Sequence, residues 1–273
     1  MTVSTQEIMK ISLNLVNWKK IPYDSIIHVA GRNIKKVLIT VDVSAAEPML
    51  ARSLGCDAVI AHHPIGISAL RFSKVFSRHV DFMVQMGVPK REAWLAVQEL
   101  KKKFDLRAHA NIYNDVVDTA KMLKMPLVNI HQPCDEYMRN EILNKLNSGR
   151  TRYVSDMIRS IEEIPEFRNA STRIKLVHGN VRNETGRWIL VLAAGTNGGY
   201  PIAKLYYEYG ISTVIYLHID HNDAKKIHDE KLNGNLVVLG HLAGDSIGLN
   251  ALADRLETFD VETLRLGLVP RLI

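Results

Sequence analysis

The chain has 273 residues, 47% of them hydrophobic and 23% charged, with a formal charge of +6. That balance is ordinary for a globular protein, and the length suffices to bury one large α/β core or two small ones. No stretch reaches the roughly 20 apolar residues that cross a bilayer, and Met1–Lys10 lacks the apolar centre of a secretory signal, so no membrane contact and a cytoplasmic location are expected.

Cys56 and Cys134 are the only cysteines and form no CxxC pair, so neither a disulfide framework nor a zinc ribbon is indicated. The runs Lys35-Lys36, Lys101-Lys102-Lys103 and Lys225-Lys226 are short and not interleaved with aromatic residues. They read as solvated helix faces and argue against a nucleic-acid groove.

Val37–Val41 is a β-branched run ending at Asp42 and Ser44, the pattern of a buried strand followed by a turn. Glu47–Leu54 predicts a short helix closed by Gly55, and Ala58–Ala61 a second buried strand. Strand, helix and strand in close succession make a βαβ unit and imply a parallel sheet. Ligands of such sheets collect beyond the carboxyl ends of the strands, where Asp42, His62 and His63 fall.

A charged helix is expected over Ala93–Phe104, and another over Val116–Leu123. Residues 135–170 are more polar and predict helical turns at a seam or insertion. The first pattern then recurs: strand Trp188–Ala193, turn Gly195–Gly199, helix Ile202–Tyr209, Gly210, and strand Thr213–Leu217 leading to His218. A last strand, Leu236–Leu239, precedes a helix with Leu249, Leu252, Ala253 and Leu256 at core-facing spacing.

Ala61-His62-His63-Pro64 is the most informative segment for chemistry. Pro64 ends the strand and holds His63 extended, so the two imidazoles leave the sheet together and can serve one metal or two. Gly240-His241 with Asp245 four residues on would place an imidazole and a carboxylate on one helix face; Asp245 or Ser246 could equally cap the helix. A third candidate is His109 with Asn111 or Asp115, although Asp115 suits a helix cap as well. His28, His79, His131, His178 and His228 are read as structural or surface residues.

Mixed imidazole and carboxylate donors suit zinc, iron, manganese or nickel without choosing among them. Two such ions would activate a bridging water for hydrolysis. The Gly195–Gly199 turn is neither a GxGxxG nor a Walker loop, and no GxSxG elbow supports a serine triad.

These residues resemble the NIF3-like (DUF34) family, also labelled GTP cyclohydrolase I type 2 homologues. Asp24–Gly31 is similar to its DNVGLQVG segment, His62-His63-Pro64 to its HHP motif, and Gly240-His241 with Asp245 to its GH…E element. The resemblance implies two similar α/β lobes with mostly parallel sheets, residues 1–134 plus 236–273 in one and 135–235 in the other. It also implies one or two divalent ions in a cleft between the lobes, on subunits forming a ring-like homohexamer. His62, His63, His241 and Asp245 are carried over as ligands. His109 resembles the His of the family's HTNLD motif, with Tyr113 at its Asp position and Asp115 as the substitute. His218 stands where the family often has Glu.

The expected function is a metal-dependent hydrolase using a metal-activated water, acting on a purine nucleotide or related ring, with Asp115, His109 or His218 relaying protons. The alternative is a non-catalytic metal-binding protein that regulates or binds a partner.

Overall fold

The computed structural model describes residues 3–149, 151–192 and 197–272. Its helices are α1 (Thr5–Asn14), α2 (Ala46–Ser53), α3 (Gly66–Arg71), α4 (Ser77–Gln85), α5 (Lys90–Ala110), α6 (Asp115–Met122), α7 (Gln132–Ser148), α8 (Val154–Glu162), α9 (Pro165–Asn169), α10 (Gly199–Glu208), α11 (His221–Asp229) and α12 (His241–Glu257). Its strands are β1 (Ile26–Val29), β2 (Lys36–Thr40), β3 (Ala58–Ala61), β4 (Leu127–Asn129), β5 (Lys175–His178), β6 (Trp188–Leu190), β7 (Thr213–Tyr216), β8 (Asn235–Val238) and β9 (Glu262–Leu266). Among the described residues, no helix is long and apolar enough to cross a membrane.

The chain divides into two compact units, the first made of residues 1–75, 107–138 and 245–270, the second of 76–106, 139–244 and 271–273. The boundary falls inside α5, α7 and α12.

The sheet of the first unit has the order β1-β4-β3-β2-β9. Strands β4, β3, β2 and β9 are parallel, and β1 closes one edge antiparallel to β4. Alternation along the strands sends successive side chains to opposite faces. Val37, Ile39, Ala58 and Ile60 face α1 and α12, meeting Ile8, Met9, Leu249, Leu252 and Leu256. Leu38, Val59 and Leu127 face α2 and α6, meeting Ala51, Val116, Val117 and Ala120. Helix α1 starts where it does because Ser4 Oγ accepts from Glu7 N–H at 3.2 Å while Glu7 accepts from Ser4 N–H at 2.7 Å, a reciprocal cap.

The sheet of the second unit has the order β5-β8-β7-β6. Strands β8, β7 and β6 are parallel, and β5 lies antiparallel on β8. Both expected βαβ units, β2-α2-β3 and β6-α10-β7, are present with parallel pairing. Residues 135–170 are helical, as α7, α8 and α9. Strand β6 ends at Leu190, short of the expected Ala193; Ala193, Gly195 and Thr196 of that strand and turn lie outside the described residues.

Three strands of the first sheet were not expected. Strands β1 and β9 are half-exposed edges with weak apolar patterning, and β4 is three residues long. Helix α5 is also longer than the Ala93–Phe104 segment, because no breaker follows Phe104 until Asn111.

Candidate metal centre

Two histidines follow β3 directly. The last β3 residue, Ala61, pairs with Thr40 and Asn129, and Ile130 N–H extends the ladder to Ala61 O at 2.9 Å. This register lays the chain after β4 beside the chain after β3. His131 therefore meets His62, with ring centroids 4.8 Å apart, and His63, at 5.8 Å. Helix α7 starts at the next residue and brings Asp135 round one turn below His131. Helix α12 delivers Asp245 from the far end of the chain.

The resulting cluster is buried. His62 is wholly shielded, and Asp135 and Asp245 are each 2% exposed, with His62 Nε2 lying 3.2 Å and 3.7 Å from their respective Oδ1 atoms. His63 Nε2 lies 3.3 Å from Asp245 Oδ2. One donor atom from each of His62, Asp135 and Asp245 falls within 4.8 Å of the others, and the same holds for His62, His63 and His131.

The tautomers explain what these rings can do. His62 Nδ1 donates to Ile130 O at 3.0 Å, His63 Nδ1 to Asp42 Oδ1 at 2.7 Å, and His131 Nδ1 to the buried Asp24 Oδ2 at 2.8 Å. Each ring is thus held by an oxygen acceptor at Nδ1, so in the neutral tautomer its lone pair is on Nε2. Metal-binding histidines are oriented in this way. His62 Nε2 faces Asp135 at 3.2 Å, and neither it nor the two Asp135 oxygens has any other hydrogen-bond partner. Burying carboxylates costs several kcal/mol each unless a cation offsets them. The donors present therefore fit a divalent ion.

Buried carboxylates dominate the electrostatics of the two histidines after β3. Burial pulls His62 down, but the carboxylates of Asp135 and Asp245 outweigh it and hold the ring well above its usual pKa. Burial likewise opposes His63, yet its bonds to Asp245 and Asp42 carry it to about 9. His131 goes the other way, lowered by burial to about 3, while burial raises Asp24 to about 7. Both directions favour an uncharged His131 ring on its Asp24 anchor.

Beneath the cluster, Asn129 is fully buried at the end of β4. Its Nδ2 donates to Asp24 O at 2.7 Å and His62 O at 3.4 Å. Its Oδ1 accepts from Ser68 Oγ at 2.7 Å and His28 Nε2 at 3.3 Å. One amide thereby ties together both segments that supply the imidazoles. Above, Gly248 lets α12 approach α7: a Cβ there would stand 2.3 Å from Cys134 O.

Of the residues singled out in the sequence, His62, His63 and Asp245 come together. His241 is the first residue of α12, one helical turn before Asp245. His109 sits exposed in the last turn of α5, and Asp115 is the exposed first residue of α6 behind the N-cap Asn114. Neither belongs to a three-donor group among the described residues.

His131 and Asp135 were missed. The signal was available: His131-Gln132-Pro133-Cys134-Asp135 has His first and Asp fifth, the spacing of the HTNLD motif. It also follows a strand and opens a helix, as His241 and Asp245 do.

The protein has two mostly parallel α/β sheets, and the buried imidazole–carboxylate cluster at the carboxyl ends of strands in the first could hold a metal ion. A NIF3 superfamily protein from Sphaerobacter thermophilus is 38% identical, with a TM-score of 0.94 over 98% of this chain and 99% of that one. The chain belongs to the NIF3 superfamily. Reduced HcgD from Methanocaldococcus jannaschii (15% identity, TM-score 0.60, 97% and 99% covered) and a Bacillus cereus protein related to NIF3 (10%, 0.54, 98% and 98%) share the fold. No protein-family model matches the sequence, and no curated protein does.

Proposed function

We propose that the protein is a divalent-metal-dependent hydrolase, with His62, His63, His131, Asp135 and Asp245 as its metal-holding residues. The observation that carries this reading is the common tether of the three imidazoles, each bound to an oxygen at Nδ1 while buried carboxylates face the Nε2 side. Bound there, a divalent ion supplies Lewis-acid polarisation and a water nucleophile at neutral pH. The chain's own part is to keep His62 and His131 rigid, to exclude bulk water around Asp135 and Asp245, and to leave His63 as the accessible side. Its side chain is 25% exposed against at most 5% for His62, His131, Asp135 and Asp245. Asp42, which is exposed, takes the His63 Nδ1 proton in a hydrogen bond.

By the family resemblance the substrate is a purine nucleotide or related ring, the reaction is of the GTP cyclohydrolase I type 2 kind, and the chain forms a cytoplasmic ring-like hexamer. Incubating protein loaded with zinc, iron, manganese or nickel with GTP and a panel of nucleotides and phosphoesters tests it. Turnover that disappears in His63→Ala supports the hydrolase; no turnover by any metal form, or turnover indifferent to His63→Ala, refutes it. Light scattering should return six times the 30.8 kDa chain mass.

The depth of the cluster favours a second reading, a non-catalytic metal-binding protein, because catalytic sites keep a position open. That reading predicts bound metal with no turnover.

A further inference from the structure

The sequence reads His28 as a structural histidine, yet β1 is irregular at that residue. Ile26 pairs with Asn129 and Ile27 with Val128, then the register slips before Val29 meets Leu127. Ile27 packs on the α1 and α12 side and Val29 on the α2 and α6 side, although residues two apart in a regular strand share a face. His28 is the extra residue of a bulge, a device that re-aims a side chain. Its imidazole meets Asn129, whose Oδ1 lies 3.3 Å from His28 Nε2 and 2.7 Å from Ser68 Oγ. The other end of the amide lies 2.7 Å from Asp24 O and 3.4 Å from His62 O. Carbonyl oxygens only accept, so that end is the NH2. Oδ1 therefore faces donors, and the His28 proton sits on Nε2. Burial lowers the pKa of this ring, which keeps it neutral in that tautomer.

His62 O and Ser68 Oγ mark the two ends of residues 62–68, the segment that carries His63. Asp24 is the anchor of His131. Midway along the segment, Gly66 has φ +52, and a Cβ there would stand 2.8 Å from Val117 Cγ2 and 3.2 Å from His28 Cε1. The same ring thus limits the segment from the side. We propose that Asn129 and His28 are positioning residues for the metal: Asn129 grips residues 62–68 at both ends, and His28 holds its amide in the orientation that makes this possible. A flipped amide would turn its oxygen toward two carbonyls and its NH2 toward the His28 N–H. His28 belongs to no three-donor group among the described residues, and the Asn129 amide is engaged with the protein at both ends. The donors are in this way set in place before the ion arrives. The proposal rests on the metal-holding part of the reading above.

The test uses the full-length protein, with zinc and cobalt as probes. Asn129→Leu, similar in volume but without polar atoms, should weaken zinc about 10- to 100-fold by competitive chelator titration. It should also shift the visible d–d absorption of the cobalt-loaded protein, which reports the geometry of the donors. His28→Ala should weaken zinc about fivefold, the effect of losing one neutral hydrogen bond, and His28→Gln, which keeps an N–H donor, should recover part of that loss. Val37→Ala, in the buried core at the amino end of β2, controls for general loosening. It should lower the Tm of the metal-free protein and leave zinc affinity and the cobalt spectrum unchanged. If Asn129→Leu does not fold, the two His28 variants decide alone. Zinc affinity and cobalt spectrum indifferent to these variants, or altered equally by Val37→Ala, overturn the proposal. So does a His28 proton found on Nδ1 by long-range 1H–15N correlation. A parent protein that binds neither metal overturns the metal reading and this proposal with it, whereas normal binding in the parent with no response to the variants overturns this proposal alone.

Discussion

Both sheets run parallel strands against one antiparallel edge strand, and both edge pairings slip register once, between Ile27 and Val29 in the first and between Leu176 and His178 in the second. In each, a histidine follows a central parallel strand: His62 after β3 and His218 after β7. The tethers differ. His62, His63 and His131 give their Nδ1 protons to oxygens, whereas His218 receives a proton from an amide nitrogen. The first unit surrounds its rings with two buried carboxylates; the second leaves His218 exposed. The same strand-end position therefore yields a lone pair in one unit and an N–H in the other. What decides is the partner of Nδ1, a residue far away in sequence.

The largest effect should come from a buried carboxylate of the first unit. Asp135→Ala removes a buried charge facing His62 Nε2, and zinc affinity by competitive chelator titration should fall by more than about 100-fold, beyond what loss of an outer partner costs. Retained affinity would mean that Asp135 holds no metal.

Asp24→Asn tests the tether directly, because it can offer His131 an amide donor in place of a carboxylate, the arrangement seen at His218. Zinc affinity should fall by about 10- to 100-fold, with the His131 proton moving from Nδ1 to Nε2 by NMR. Asp42→Asn makes the same change at His63 with a smaller loss, since Asp42 is 86% exposed and water can replace it.

Metal removal should destabilise the first unit. With the ion gone, the buried carboxylates lose their counter-charge, so a chelator should lower Tm, and excess zinc should raise it with concentration. A Tm indifferent to both would break the comparison.

The smallest change is steric. Gly248→Ala forces a Cβ against the Cys134 backbone and should cost about 1–3 kcal/mol in denaturant unfolding. It should weaken zinc binding too, because Cys134 adjoins Asp135.

Much of the scaffold was legible locally. The β-branched runs of β2 and β3, the glycine after α2, and the repeat of that order in β6-α10-β7 fix a parallel α/β architecture, since alternation and helix stops are short-range signals. His62-His63-Pro64 at a strand end, and His241 one turn before Asp245, were legible for the same reason. His109 and Asp115 drew attention through local spacing and the likeness of His109 to the HTNLD histidine, and α5 and α6 place both exposed, outside the donor groups found among the described residues.

The remainder of the centre was decided by strand order. β4 is a three-residue strand, too short to announce itself, yet it lies between β1 and β3. That insertion alone sets His131 and Asp135 beside His62, and lets Asn129 and Asp24 fix them from beneath. Nothing within a few residues of His131 encodes the neighbour it acquires. The sequence by itself determined which residues could donate to a metal and where strands would release them. Only the tertiary structure decided which donors meet, because the pairing of β4 with β3 joins residues 68 apart in sequence through backbone hydrogen bonds that local pattern does not carry.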